Sequence, residues 1–313
     1  MERRFLGSTG IEVTRMCFGT LTFRQMDIAP EAAARVIVRA IDKGVNFVDT
    51  AQGYSTYEHV RLALKQRPGF VVNTKSPAKT YDEMNESIEA ARRAMDLETI
   101  DGFLMHGCGG PGDGIKQRQG ALDALLEAKA KGRVRAIGLS SHYIEGVRQA
   151  SECSELDICH PLVNMLGKGV PDGTVADMEE ACVKAHAAGK GIFSMKSLAG
   201  GLLIPRRREA FDYVTSRSFV DSVAVGMTTE AEVDNNVAYF EGKPDQDGEI
   251  AGLKPEGLKL FILKSCVGCG DCVKVCPSGA MRIVDGKAWA DPELCLTCGY
   301  CGFECKRFCI RLV

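Results

Sequence analysis

Eight cysteines near the C-terminus have the types and spacing for metal chemistry. Cys266, Cys269, Cys272 and Cys276 form one run, followed by Pro277, and Cys295, Cys298, Cys301 and Cys305 form the second. Both read C-x2-C-x2-C-x3-C, which suits four thiolates holding the iron corners of a [4Fe–4S] cubane, twice. A zinc site uses C-x2-C pairs with four ligands in all, and does not account for a third cysteine and the x3 step in each run. Two cubanes close in sequence suit one-electron transfer; a purely structural role is the competing reading. The segment between the runs, "AMRIVDGKAWADPEL", reads as a hairpin turning at "DG". Cys309 follows Cys305 by four residues and matches Ala280 of the first half, so it reads as a small core residue.

The remaining cysteines, Cys17, Cys108, Cys153, Cys159 and Cys182, are scattered and read as small buried hydrophobes. Clustering of this kind does not suit a secreted disulfide protein. The chain has 313 residues, of which 45% are hydrophobic and 26% charged, with a net charge of -2. That supports one large core or a core with an annex, and no basic surface for nucleic acid. No apolar stretch follows the arginines of "MERRFLGSTG", and no run approaches the roughly 20 apolar residues of a membrane span. Cytoplasmic location is the expectation.

Positioning of any site falls to the rest of the chain. Residues 4–16 read as a hairpin turning at "STG". Strand and helix patterns then alternate through eight units, from "MCFGT" and "PEAAARVIVRAIDKG" to "VDSVAVGM" and "TEAEVDNNVAYF", near residue 240. One of the later strands is expected over "LDICHPLVNML". Pro30 and Gly44 bracket one helix, and Met84, Ile88, Ala91 and Met95 mark the buried face of another. Strict alternation at this length predicts an α/β fold, a closed (β/α)8 TIM barrel. An open doubly wound sheet would carry a Gly-rich turn after its first strand, which "CFGTLTF" lacks. The expected organisation is a barrel over 1–243, a polar linker over 244–258 and a small ferredoxin-like α+β domain over 259–313.

"FVDTAQGY" with Asp49 and Tyr54, "VVNTKS" with Lys75 and "FLMHG" with His106 resemble the aldo-keto reductase family over about three quarters of the chain. The cysteine module resembles a bacterial 2[4Fe–4S] ferredoxin, and the joint layout resembles an iron–sulfur branch of that family. The first resemblance implies a catalytic tetrad at the C-terminal ends of barrel strands. Tyr54 would be the proton donor, Lys75 would lower its pKa, Asp49 would hold Lys75, and His106 would orient the carbonyl. The ferredoxin resemblance implies crossed ligation. Cys266, Cys269, Cys272 and Cys305 would hold one cluster, and Cys295, Cys298, Cys301 and Cys276 the other.

The family's nicotinamide contacts map onto Ser140, Ser141, His160, Asn164 and Met195, and its phosphate and adenosine segment onto Gly226, Glu232 and Asn236. Ser141 replaces an asparagine, His160 a glutamine and Met195 a stacking tyrosine. Glu232 stands where an arginine often meets a 2′-phosphate, so NADPH should not be preferred over NADH. A hydride carries two electrons and a cubane passes one, so a flavin in the barrel mouth stays open as a converter. Three readings follow. One is an iron–sulfur aldo-keto reductase that interconverts a small carbonyl and alcohol and exchanges electrons with a protein partner. The others are a ferredoxin-driven reductase without nicotinamide, and a non-enzymatic electron-transfer subunit. With little chain between the eighth helix and the linker, the module itself is expected to cover the barrel mouth.

Overall fold

The computed structural model describes residues 1–243 and 258–313; the expected linker, apart from Leu258, lies outside them. The chain opens with strands β1 (Arg3–Phe5) and β2 (Glu12–Thr14), paired antiparallel with Arg3 opposite Thr14. Asp221 accepts the amides of Gly7 (3.2 Å) and Ile192 (2.8 Å), which pins this hairpin to the N-terminal end of the sheet.

Eight alternating units follow. The first three are β3 (Met16–Gly19) with helices α1 (Leu21–Gln25) and α2 (Pro30–Asp42), β4 (Phe47–Asp49) with α3 (Tyr57–Gln66), and β5 (Val71–Ser76) with α4 (Tyr81–Met95). Next come β6 (Ile100–Met105) with α5 (Gln119–Ala130), β7 (Val134–Ser141) with α6 (Ile144–Glu152), and β8 (Ile158–Pro161) with α7 (Val175–Ala187). The last are β9 (Gly191–Ser194) with α8 (Arg207–Thr215), and β10 (Ser222–Gly226) with α9 (Glu230–Phe240). All neighbours are parallel, and β10 pairs with both β9 and β3, closing the barrel.

Alternation along the strands divides the core. Cys17, Phe47, Leu104, Ala136, Ile158 and Phe193 point inward and meet Leu6, Ile11 and Val13 of the hairpin, which plugs the floor. Their neighbours Met16, Phe18, Val48 and Phe103 point outward under the helices. Each such side chain contributes about 1.5–3 kcal/mol by leaving water. The helix signals operate as expected: Pro30 opens α2, Gly44 follows it at φ +92°, and Met84, Ile88, Ala91 and Met95 are buried. Thr80 and Glu83 cap α4 reciprocally, as Thr229 and Glu232 do for α9.

Strand β8 stops short of the stretch expected from its sequence. Leu162 still bridges to Met195 beyond Pro161, and Asn164 then builds a turn, accepting the amides of Leu166 (3.2 Å) and Lys168 (3.0 Å). The short helix α1 was not expected either.

The C-terminal module comprises β11 (Leu260–Ile262), α10 (Asp271–Lys274), β12 (Met281–Val284), β13 (Lys287–Ala290), α11 (Tyr300–Glu304) and β14 (Ile310–Leu312). Strands β12 and β13 turn at Asp285 and Gly286, both with positive φ, as a tight two-residue hairpin requires. Strands β11 and β14 pair antiparallel, joining the ends of the module.

The module docks on the C-terminal face of the barrel. Phe308 and Leu312 pack with Leu162, Ala199, Leu202, Leu203 and Ala210. Lys168 donates to the carbonyls of Phe303 (2.6 Å) and Cys305 (2.8 Å). Gly201 makes an approach that no side chain would allow. Its φ is +92°, and a Cβ there would lie 1.9 Å from the Leu312 carbonyl oxygen.

Candidate active site and cluster sites

The sequence "FVDT" ends β4 on Asp49, and "VVNTKS" places Lys75 one position before the end of β5. Both side chains point into the barrel mouth. Lys75 is fully buried and Asp49 is 4% exposed. The Lys75 ammonium donates to both carboxylate oxygens, at 2.5 and 2.6 Å, and to the Thr50 carbonyl at 2.9 Å. Asn73 adds a hydrogen bond to Asp49 at 2.7 Å. All three ammonium protons are therefore spoken for.

Tyr54 sits in a single 3-10 turn, Gln52–Tyr54, closed by its amide on the Ala51 carbonyl. Buried hydroxyls of Thr20, Thr50 and Thr56 hydrogen-bond in a chain beneath that loop. The Tyr54 ring lies 5.3 Å from the Lys75 ammonium and meets the His106 ring edge-on at 5.7 Å. Asp49, Tyr54, Lys75 and His106 are thus brought together.

Burial, and then the Asp49 charge, push the Tyr54 phenol up, against the lowering expected from its proximity to Lys75. It is a protonated phenol in this arrangement. His106 is pushed down to about 3, by burial first and then by Lys75, so its ring is neutral. Its loop is held by Arg118, 3% exposed, which donates to the His106 carbonyl and pairs with Asp113. No sequence motif marked that pair.

The expected nicotinamide contacts separate. His160 and Met195 line the cavity above Asp49 and Tyr54, as do Gly226 and Glu232. Ser140, Ser141, Asn164 and Asn236 do not line it. Ser141 is tied to Tyr143, Asn164 to its own turn, and Asn236 accepts from Arg207. The His160 Nδ1–H donates to the Phe193 carbonyl at 2.5 Å, its ring stacks on Phe193, and its Nε2 lies 3.8 Å from Asp49. Glu232 takes the amides of Thr228 (2.6 Å) and Thr229 (3.1 Å) at the start of α9. A phosphate seeking the same donors would meet a carboxylate. Sequence reading missed two cations of the cavity wall, Lys196 after β9 and Arg311 on β14. The signal in the second case is a charge between Ile310 and Leu312, both buried.

In the module, Cys276, Cys295, Cys298 and Cys301 line one cavity with Leu260, Met281 and Thr297. Cys272 is pushed up by burial, and then by Cys269, Cys266 and Cys305 around it. Mutual repulsion of that kind is relieved by metal. Among the described residues no three His, Cys, Asp or Glu side chains converge as a lone metal ion would need. A cubane takes one thiolate at each of its four iron corners, and the cavity lined by four cysteines fits that demand. The amides of Ala288 and Cys309 point at Cys266 (3.3 Å) and Cys305 (3.2 Å). Cys309 itself is buried against Ser265.

Residues 15–212 match the Aldo/keto reductase family, and residues 259–306 match a 4Fe-4S dicluster domain. The chain belongs to the aldo/keto reductase family and is an oxidoreductase with a C-terminal iron–sulfur domain. It is 23% identical over 239 residues to methylglyoxal reductase DkgA of Escherichia coli, covering 71% of this chain and 85% of that protein. L-galactose dehydrogenase of Arabidopsis thaliana is also 23% identical, with 76% and 88% covered. The module is 37% identical over 59 residues to one component of an ion-translocating oxidoreductase complex of Methanosarcina acetivorans. That match covers 19% of this chain and 22% of the component. A putative aldo-keto reductase from Pseudomonas aeruginosa superposes with a TM-score of 0.65 at 25% identity, covering 77% of this chain and 94% of that one.

Proposed function

We propose that this protein interconverts a small carbonyl compound and its alcohol in the barrel mouth, and that its two [4Fe–4S] clusters exchange electrons with a protein partner. The observation that carries this reading is the meeting of Asp49, Tyr54, Lys75 and His106 on the barrel face where the cysteine module docks. Tyr54 gives its phenolic proton to the oxygen of the carbonyl as that oxygen gains negative charge. Neutral His106 donates a hydrogen bond to the same oxygen and fixes its direction. Lys75, locked on Asp49, places a positive charge beside the forming phenolate. A nicotinamide, when bound, would supply the hydride that adds to the carbonyl carbon.

Of the two dinucleotides, NADPH is not preferred, because Glu232 already occupies the amides at the start of α9. Cysteines 266, 269, 272 and 305 would hold one cluster, and 276, 295, 298 and 301 the other, supplying one-electron exchange. The module's likeness to a component of an ion-translocating oxidoreductase complex supports a protein redox partner. No described helix is long and apolar enough to cross a membrane.

A second reading has its own support. Ser140, Ser141, Asn164 and Asn236 are engaged away from the cavity, so a reductase that takes electrons from its clusters without nicotinamide also fits this mouth. Anaerobic spectra of the purified chain with NADH and with NADPH separate the two. Bound dinucleotide and bleaching of the cluster absorbance support the first reading. No binding of either dinucleotide, with turnover driven by a reduced ferredoxin, replaces it with the second. Tyr54→Phe should lower carbonyl turnover by about 10²–10⁴-fold in either case; unchanged turnover removes the barrel mouth as the reacting site.

A further inference from the structure

The cavity above Asp49 and Tyr54, about 160 Å³, has walls from both halves of the chain. Barrel residues Lys196 and Ser197 form one side, and Arg311, Leu312 and Val313 of the module form another. Arg311 is 5% exposed, yet among the described residues its guanidinium has no carboxylate partner. It lies against the Phe308 ring at 3.4 Å and donates to the Ile310 carbonyl at 3.3 Å, leaving most of its five donors unused. The Lys196 ammonium has no hydrogen-bond or ion-pair partner among the described residues. Its backbone sits at φ +63°, a left-handed conformation that side-chain-bearing residues rarely adopt.

The other charged groups of the cavity are engaged elsewhere. Asp49 is taken by Lys75 and Asn73, Glu232 by the amides opening α9, and the Val313 carboxyl end by the Lys259 amide at 2.6 Å, with no ion pair to Arg311 or Lys196. Arg311 also presses on Lys196. Burial first, then Arg311, then Lys75, push Lys196 down to about 7, and burial pushes Arg311 down to about 10. His142, close enough to feel both, is pushed down to about 3, chiefly by burial. A buried guanidinium beside an amine that readily takes up a proton calls for a counter-charge, since an unpaired buried ion is among the costliest features a fold can carry.

We propose that Arg311 and Lys196 form an anion subsite, completed only when the module is docked, for an oxyanionic group of a ligand lying over Tyr54. The best-fitting source is the carboxylate of a small 2-oxo or 2-hydroxy acid, which a guanidinium grips with two parallel hydrogen bonds. The other source of the same chemistry is a phosphate of a bound dinucleotide. Assigning the anion to a substrate rests on the carbonyl reading above; the subsite itself does not.

The test is equilibrium titration of the full chain with its clusters in place. The probes are 2-oxobutanoate, the neutral ketone butanone, ADP and NADH, each measured on the parent, Arg311→Gln, Arg311→Lys and Lys196→Met proteins. The expected result is that 2-oxobutanoate binds at least tenfold more tightly than butanone. Arg311→Gln and Lys196→Met should each remove about tenfold or more of that affinity, and Arg311→Lys should recover part of it. If ADP and NADH lose affinity instead while 2-oxobutanoate does not, the subsite stands and its anion is a phosphate. Unchanged affinity for all four probes, in variants that keep their iron content and circular dichroism, overturns the proposal. Tyr54→Phe keeps the two questions apart: it should leave the preference for 2-oxobutanoate over butanone within about twofold while turnover collapses. Unchanged turnover in that variant would sink the carbonyl reading and leave the subsite intact.

Discussion

Removing Lys75 and Asp49 together should destabilise the barrel by clearly less than the sum of removing each alone. Lys75 is fully buried, and its ammonium spends two of three protons on the Asp49 carboxylate at 2.5 and 2.6 Å. In Lys75→Met the carboxylate keeps only Asn73 as a donor, and in Asp49→Leu the ammonium keeps only the Thr50 carbonyl. Each single variant strands a buried charge and should cost about 3–5 kcal/mol. The double variant, Asp49→Leu with Lys75→Met, strands no charge. It leaves the Asn73 amide and the Thr50 carbonyl short of one partner each, at about 1–3 kcal/mol apiece.

Independent losses would sum to about 6–10 kcal/mol, whereas the double variant should lose about 2–6 kcal/mol. Urea unfolding followed by circular dichroism reads this directly. With a slope of about 3 kcal/mol per M, each single variant should shift the midpoint down by about 1–1.7 M. A double variant whose loss equals the sum of the singles would refute the idea that the pair acts as one neutral unit.

Other outcomes follow from the same geometry. His106 carries a pKa of about 3 in the fold against about 6.5 in the unfolded chain, so the unfolded state takes up its proton first as pH falls. That contribution to stability is complete above about pH 6.5 and drains away toward pH 3; His106→Gln should flatten the fall in stability measured between about pH 7.5 and 5.5. Cys276→Ala should halve the iron content while Cys309→Ala leaves it unchanged; equal losses in both would break the assignment of ligands. Gly201→Val places a side chain in the path of the Leu312 carbonyl, and should raise protease sensitivity of the module while the barrel keeps its circular dichroism. Glu232→Arg should tighten NADPH binding relative to NADH by about tenfold, read by titration; no change would remove Glu232 from the phosphate end.

Much of this was legible in the sequence because local patterns and the fold agree. The hydrophobic stripe of α4, the Thr80–Glu83 cap, and the Asp285–Gly286 turn each follow from a few neighbouring residues. The cysteine spacing and the strand-end positions of Asp49 and Lys75 are of the same kind. What stayed hidden depends on residues distant in sequence. Asn164 matched a cofactor position by family resemblance, yet its side chain closes its own turn onto Leu166 and Lys168. The rise in Tyr54 acidity expected from a nearby lysine is absent, because burial of the phenol, and then the Asp49 charge, push the other way. Arg311 reads as one more charge near a terminus until β14 is laid against the loop after β9.

The cavity shared by Lys196 and Arg311 also has an evolutionary consequence. A barrel alone does not own this cavity; one of its sides is carried by the appended module. On the proposals above, any exchange of that module for another, by recombination or by design, would replace the iron–sulfur domain and redraw ligand selectivity in the same event. Two properties that could vary separately are inherited together here, and the contact of Gly201 with Leu312 is where they are joined.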